Sequence, residues 1–262
     1  MEIQINQQGR ADIFTCIFQY MKLFTDSINV ICDKERLFIQ AIDKSHVSIF
    51  EIYLPKSWFD VYTIEQKTDI TIGINTNLLY KVLHAREKYH KLSIKLDNSN
   101  VDILQIHMTS ESNVNFDKHF EVPLIDIDSE MMSIPEMEYQ AEFSLQSAMF
   151  ATLIDQLKMF GDTLRIECSE DKITLFSESM ESGKMVVDIP IDDLSSFAIE
   201  EDQELDLSFS LVHLYNICSY SKIAKNIDIS MTTNYPIRIQ YLLDDVDSNA
   251  KLLFYLAPKM DD

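Results

Sequence analysis

Hydrophobic and polar positions follow two periods along this chain, and the periods recur in a fixed order. Apolar residues alternate with polar ones around Ile3 and Ile5, which predicts a strand. A helical spacing follows over residues 13–21, and further alternating stretches run from Ile28 to Ile49. The same order, one strand, one helix and three strands, returns from Ile70 to Val122. The pattern therefore predicts a β-α-β-β-β unit that occurs twice in the first half.

The second half repeats this plan and can be superimposed on the first. At a shift of 136 residues the matches are Phe14 with Phe150, Lys22 with Lys158, Phe24 with Phe160, Asp26 with Asp162 and Cys32 with Cys168. At a shift of 135 they are Leu79 and Tyr80 with Leu214 and Tyr215, Leu92 with Ile227, and Ile94 with Ile229. Solenoid repeats have periods of about 20–50 residues, so this longer period indicates duplication of a whole domain.

An acidic, methionine-bearing segment separates the two copies. We predict an N-terminal domain over residues 1–123, a connecting loop over 124–138 and a C-terminal domain over 139–262. Asn75 or Asn77, Ser147 and Ser210 are candidate helix caps. Strands outnumber helices and the linkers are short, so the sheets should be mostly antiparallel and the fold class α+β.

Composition excludes several classes of protein. The formal charge of −21 repels nucleic acid and anionic membranes at long range, so the protein is not expected to coat either of them. A local basic surface is still allowed. The four cysteines are far apart in apolar stretches and predict buried thiols. We find no signal-peptide pattern and no run of 18 apolar residues, and expect an intracellular, soluble protein. With only four glycines, no phosphate-cradling glycine loop is expected.

Positive charge is concentrated in the four segments that carry helical periodicity. Residues 10–23, 76–91, 147–159 and 210–225 hold nine Lys or Arg and three Asp or Glu, a net charge of +6, whereas the rest of the chain carries −27. Lys81, Ala85 and Lys88 are predicted to share one helix face, opposite Leu78 and Val82. Solvated helix faces alone can favour lysine, but such segregation also suits a surface for a polyanion.

Three motifs are specific enough to compare with known families: the run from Gln40 to Ser48, the end of the connector from Ile134 to Tyr139, and the tail from Tyr255 to Asp262. Together they resemble the sliding clamps of the proliferating-cell-nuclear-antigen family. The resemblance covers essentially the full length. It implies three two-domain chains closed into a six-domain ring, with the helices around duplex DNA and the sheets outside. It also implies no active site and no cofactor.

The resemblance further implies a processivity factor for DNA polymerase and a docking platform in replication and repair. The implied partners are double-stranded DNA without sequence preference, a DNA polymerase, the clamp loader, a flap nuclease, a ligase and further copies of this chain. The expected location is the nucleus, or the replication compartment of a DNA virus.

Site residues follow from the resemblance position by position. The expected DNA contacts are Lys22, Lys81, His84, Lys88, Lys158 and Lys222. The expected pocket for partner peptides consists of Ile42, His46, Val47, Met132, Ile134, Pro135, Pro236, Tyr255, Ala257 and Pro258. The expected subunit contact joins an edge strand of about 115–122 to one of about 184–188, through Phe120, Val122, Met185 and Val187.

The chain also departs from the family pattern. Positions that are commonly basic on the family's helices hold Thr15, Cys16, Asp155 and Val212, which predicts weak attraction for DNA. Glu170 occupies the position of the family's modified lysine, so ubiquitin regulation is not expected there.

Two other classes of function stay open at this point. The first is a subunit of a heteromeric clamp-like ring, or a transcription-associated scaffold with weak DNA contact. The second is an acid–base enzyme, which predicts a deep pocket with convergent carboxylates. The six histidines show no metal-ligand spacing. A calcium loop at Asp126 is rejected because its sixth and twelfth positions hold Met131 and Met137 instead of glycine and glutamate.

Overall fold

The computed structural model describes residues 1–66, 68–97, 99–110, 115–128, 130–244 and 247–259. The described chain divides into two compact units. Unit one comprises Met1–Lys44, Glu51–Met132 and Leu243–Lys251, and unit two comprises Ser45–Phe50, Ser133–Leu242 and Leu252–Asp262. Each unit contains two helices and two groups of antiparallel strands, which confirms the α+β class. The predicted domain bounds remain predictions.

The elements follow the predicted order, with one additional short strand in each half. The helices are α1 (Gln8–Met21), α2 (Thr76–His84), α3 (Ser147–Leu157) and α4 (Leu211–Cys218). The strands of the first half are β1 (Glu2–Ile5), β2 (Ser27–Cys32), β3 (Arg36–Ile42), β4 (Ser48–Pro55), β5 (Val61–Thr63), β6 (Ile70–Asn75), β7 (Lys91–Asp97), β8 (Asn100–Thr109) and β9 (Lys118–Pro123). Those of the second half are β10 (Ala141–Gln146), β11 (Thr163–Cys168), β12 (Lys172–Ser179), β13 (Gly183–Pro190), β14 (Ser196–Ile199), β15 (Leu205–Ser210), β16 (Asn226–Met231), β17 (Ile237–Leu242) and β18 (Lys251–Leu256).

In unit one, α1 and α2 pack against each other and bury their apolar stripes. The buried face of α1 presents Phe14, Ile17 and Phe18, which recur at helical spacing. One group of strands has the order β5-β1-β7-β8-β9, and the other has the order β4-β3-β2-β6. Leu92 and Ile94 alternate inward on β7, as the period-two pattern predicts.

Unit two repeats this arrangement. Its helices α3 and α4 pack together, and their buried residues include Phe150 and Leu214. One group of strands has the order β13-β12-β11-β15, and the other runs β14-β10-β16-β17-β18. Matched positions of the duplication take the same place in each unit: Cys32 ends β2 and Cys168 ends β11, both buried. Whole-domain duplication is therefore confirmed at the level of the elements.

Two short strands were missed by the sequence pattern. β5 and β14 each follow a short 3-10 turn and occupy an edge of their group of strands. They are only three and four residues long, too short for a period-two alternation to be recognised. They lie at equivalent places in the two halves, so the missed element is itself duplicated.

The prediction for the end of α2 was wrong, because the helix stops at His84. The amides of Ala85 and Arg86 donate to carbonyls three residues back, which tightens the last turn. Tyr89 then takes a positive φ of 74°, and the buried His90 accepts the amide of Glu87 on Nδ1 at 3.1 Å. Lys88 therefore does not lie on a helix face with Lys81.

The candidate caps had mixed outcomes. The Asn75 side chain accepts the amide of Leu78 at 3.0 Å and caps α2. Ser147 is the first helical residue instead of the cap of α3. Ser210 holds the cap position of α4, but its hydroxyl pairs with Nδ1 of His213 at 2.9 Å.

Candidate functional site

The positive charge lies beyond the helices instead of within them. Inside the observed bounds the four helices hold two basic residues, Arg10 and Lys81, and two acidic ones, Asp12 and Asp155. Their formal charge is zero, so the predicted sum of +6 was wrong for the helices themselves. The remaining positive charge of those segments sits at or after helix C-termini, where exposed carbonyls and the helix dipole favour cations.

Two arginines of the predicted basic segments are held by carboxylates. The Arg10 guanidinium lies 2.8 Å from the Asp244 carboxylate. The Arg86 side chain is only 5% exposed and lies 2.6 Å from Asp12. Both therefore present little charge to a ligand. Among the residues predicted to contact DNA, Lys81, His84, Lys88 and Lys222 are exposed, and Lys22 and Lys158 are half-buried.

Lys22 and Lys158 make the same unusual contact in their separate units. The Lys22 ammonium at the C-terminus of α1 lies 3.3 Å from the ring centre of Tyr80 on α2. The Lys158 ammonium at the C-terminus of α3 lies 3.9 Å from the ring centre of Tyr215 on α4. Each lysine thus bridges the two helices of its unit, and the aromatic ring restricts where the charge can point.

Removing these two cations should weaken binding of a polyanion measurably. We expect the double variant Lys22→Gln with Lys158→Gln to bind duplex DNA more weakly. The slope of log affinity against log salt should fall by about 0.9 for each phosphate that the variant no longer neutralises. Fluorescence titrations over a range of salt concentrations measure both quantities. The exposed Lys34→Gln on the turn after β2 is the matched control. An unchanged slope in the double variant would remove both lysines from the DNA surface.

The two predicted subunit-contact strands are both at the edge of a group of strands. Among the described strands, β9 pairs only with β8, and β13 pairs only with β12. Phe120 and Val122 lie opposite the buried Ile106 and Leu104 of β8. The structure therefore places them along the core-facing side of the sheet.

β13 exposes an unusual amount of apolar surface. Four of its eight residues are Met185, Val186, Val187 and Ile189, yet no residue of the strand is buried. Val187 lies opposite the buried Leu175 and continues the core-facing side, while Val186 is 51% exposed. An exposed apolar edge strand is a template for pairing with another chain.

The residues of the predicted peptide pocket fall into two sets, one in each unit. In unit one, Ile42 and Met132 are 37% and 46% exposed and both line an open groove of about 310 Å³ above β2 and β3. In unit two, the amide of Ala257 donates to the carbonyl of Val47 at 3.0 Å. The amide of Lys259 donates to Ser208 at 2.7 Å, so the described part of the tail is held along its backbone.

The remaining members of the unit-two set have the exposure that a binding surface requires. His46 and Pro135 are exposed, and His46 has a positive φ of 59°. Ile134, Pro236, Tyr255 and Pro258 are at least partly accessible. The tail residues 260–262, which formed part of the resemblance, lie outside the described residues.

The described residues give little support to acid–base catalysis. A general acid at neutral pH needs a carboxyl with a raised pKa. The carboxyl groups with clearly displaced pKa values are all displaced downward: Glu2, Glu87, Asp97, Asp188, Asp206 and Asp247. In the open hollow between β12 and β15, the hydrogen bond from Arg165 lowers the pKa of Asp206. Over the described ranges no three or more His, Cys, Asp or Glu side chains form a metal-binding group.

Comparison with known proteins agrees with the duplicated architecture. The sequence profile described as "Proliferating cell nuclear antigen, N-terminal domain" matches residues 1–131, and the one described as "Proliferating cell nuclear antigen, C-terminal domain" matches residues 133–259. A similar curated protein is the "Proliferating cell nuclear antigen" of Chaetomium thermophilum. It is 27% identical over 260 residues, which cover 97% of this chain and 96% of that protein.

The duplicated units, each with two helices and antiparallel sheets, define the DNA clamp fold. The chain belongs to the proliferating cell nuclear antigen family of sliding clamps. Clamps of this family are non-enzymatic scaffolds of DNA replication and repair. No helix of the described residues is both long and apolar enough to cross a membrane.

Proposed function

We propose that this protein is a homotrimeric sliding clamp that encircles duplex DNA and tethers a DNA polymerase to it. The observation that carries this proposal is the exposed apolar edge of β13, which a single chain leaves unpaired among the described strands. Its complement is the second edge strand, β9, with the half-buried Phe120. Two different edges joined head to tail form a heterologous contact, which closes into a ring when the rotation per subunit fits.

The charge distribution favours a protein that encircles DNA over one that binds DNA tightly by electrostatic attraction. The chain carries −21 overall, and its helices are neutral, so electrostatic attraction for DNA is weak. The lysines at the helix ends supply a few phosphate contacts without reading bases. A ring needs no more, because topology retains it on DNA.

The mass of the purified chain in solution tests this proposal. We expect analytical ultracentrifugation to show three chain masses. The second candidate, a subunit of a heteromeric ring or a transcription-associated scaffold, is favoured by the neutral helices and predicts one chain mass. A single chain mass at high protein concentration would therefore overturn the homotrimer.

We further propose that the peptide pocket recruits the polymerase, the clamp loader, a flap nuclease and a ligase through short motifs. A helical turn with aliphatic and aromatic side chains suits the exposed apolar residues of this predicted pocket, such as Ile42, Val47 and Met132. Membership of the family supports a nuclear replication role, and the replication compartment of a DNA virus is the alternative location.

Removing two apolar walls of this pocket should abolish partner binding. We expect the variant Ile134→Ala with Tyr255→Ala to lose peptide affinity by at least about tenfold, because apolar anchors supply most of the energy of such contacts. Calorimetry with a synthetic peptide whose helical turn presents aliphatic and aromatic side chains measures the affinity, and ultracentrifugation checks that assembly is unchanged. Equal affinity for variant and parent would exclude this pocket.

A further inference from the structure

The described connector residues, 124–128 and 130–132, are attached to the strands of unit one at three places. The amide of Ile125 donates to the carbonyl of Gly73 on β6 at 2.9 Å. The side-chain amide of Asn29 on β2 donates to the carbonyl of Ile127 at 3.1 Å. The third attachment is at Gln40 on β3. Since these strands are neighbours in the order β3-β2-β6, the three attachments lie on successive strands.

The first attachment requires glycine. A Cβ atom at Gly73 would lie 1.9 Å from the carbonyl oxygen of Ile125, closer than any real contact. This close approach fixes where the segment begins its path. The opposite end, at Met132, is held by a side chain.

Gln40 holds Met132 in the way that a neighbouring strand would. Its Nε2 donates to the carbonyl of Met132 at 2.9 Å, and its Oε1 accepts the amide of Met132 at 2.7 Å. A side-chain amide can satisfy both backbone groups because it carries a donor and an acceptor side by side. We call this pair of hydrogen bonds the Gln40 clasp.

A buried carboxylate sets the orientation of the clasp. Nε2 of Gln40 also donates to Oε1 of Glu51 on β4 at 2.9 Å, and Glu51 is only 6% exposed. The Tyr53 hydroxyl donates to the other carboxylate oxygen of Glu51 at 3.2 Å. Burial, and then the charge of Glu51, raise the pKa of Tyr53 to about 12, so the phenol keeps its proton. With the amide reversed, the Gln40 oxygen would face this carboxylate, and that arrangement is repulsive.

We propose that Gln40, oriented by Glu51, is a positioning residue that preforms the groove for partner peptides by fixing Met132. The clasp holds the backbone of Met132 while its side chain, 46% exposed, lines the same groove as Ile42. When a groove wall is already ordered in the free protein, binding does not include the entropy cost of ordering it, and the affinity for the peptide is higher. This inference rests on the proposed function, since it concerns how that groove receives its peptide.

The test compares variants that alter the clasp and keep Ile42 and Met132, the two groove residues that belong to the predicted peptide pocket; Gln40 itself also lines the groove. Gln40→Met keeps the size of the side chain but removes both bonds of the clasp, together with the bond to Glu51. We expect hydrogen exchange at the Met132 amide to become about tenfold faster, as the removal of two hydrogen bonds implies. Binding of a fluorescent peptide whose helical turn presents aliphatic and aromatic side chains should weaken by about tenfold. Gln240→Met is the matched control, because Gln240 also bonds a carboxylate on the neighbouring strand, Asp228, at 3.2 Å.

An exchange of the two polar residues separates a positioning role from a general loss of structure. Gln40→Glu alone should lower the peptide affinity most, because it places a second carboxylate beside that of Glu51 and the two repel each other. Adding Glu51→Gln places an amide donor at position 51, which can bond the new carboxylate at position 40. That carboxylate can still accept the Met132 amide, so part of the peptide affinity should return. Recovery of affinity at an unchanged melting temperature would support positioning.

Three results would overturn the inference in distinguishable ways. Unchanged exchange at Met132 in Gln40→Met would show that the clasp does not hold the connector. Faster exchange with unchanged peptide affinity would show that the clasp does not prepare the groove. Absence of peptide binding by the parent chain would reject the proposed function itself, while the exchange experiment would still decide whether the clasp exists.

Discussion

Replacing Phe120 by alanine should shift the protein from trimer to monomer at micromolar concentration. Phe120 is half-buried on the edge strand β9, on the side of the sheet that faces the core. An aromatic anchor at the centre of an interface carries about 2 kcal/mol or more, which corresponds to roughly 30-fold in the dissociation constant of each contact. A closed trimer has three equivalent contacts, so the effect is compounded.

A matched substitution separates assembly from folding. Phe197 is also half-buried on an edge strand, β14, but it has no predicted part in the subunit contact. Phe197→Ala should lower the melting temperature about as much as Phe120→Ala and leave the trimer intact. Ultracentrifugation at several concentrations follows assembly, and thermal melts follow folding. A Phe120→Ala protein that stays trimeric at the lowest concentration would show that β9 is not the contact strand.

The fold was predictable from the sequence because its signals are local and duplicated. The helical spacing of apolar residues around Phe14 and Phe150 predicted the buried faces of α1 and α3. The order of elements followed from the alternation between period-two and helical spacing. The errors arose where an element boundary depends on tertiary contacts instead of on the local sequence. The end of α2 depends on the buried His90 and its backbone contacts with Glu87 and Phe116, which no periodicity reveals.

The candidate site was predictable only in part for the same reason. The match of Tyr80 with Tyr215 was visible in the duplication, but their role as rings beneath Lys22 and Lys158 depends on the packing of helix against helix. The Gln40 clasp joins residues 92 positions apart, and only the folded sheet brings them together. Resemblance to the family located the motifs, whereas the contacts around them follow only from the folded structure.

Linkage to DNA by topology predicts a result that electrostatic binding does not. Once loaded on a nicked circle by a clamp loader, the protein should stay bound as salt is raised. High salt weakens phosphate contacts, with log affinity falling by about 0.9 per log unit of salt for each contact. Salt does not open a ring that is closed by apolar contacts, since burial of apolar surface depends little on screening.

Cutting the loaded circle should then release the protein by sliding over the new ends. The experiment loads labelled protein on nicked circular plasmid, raises the salt, isolates the complex by gel filtration, and finally linearises half of the sample. We expect retention on the intact circle and release from the linear molecule. The Phe120→Ala variant is the control, because a ring that cannot stay closed should dissociate from both the intact circle and the linear DNA. If salt strips the parent protein from the intact circle as fast as cutting does, the protein is an ordinary electrostatic binder and does not encircle DNA.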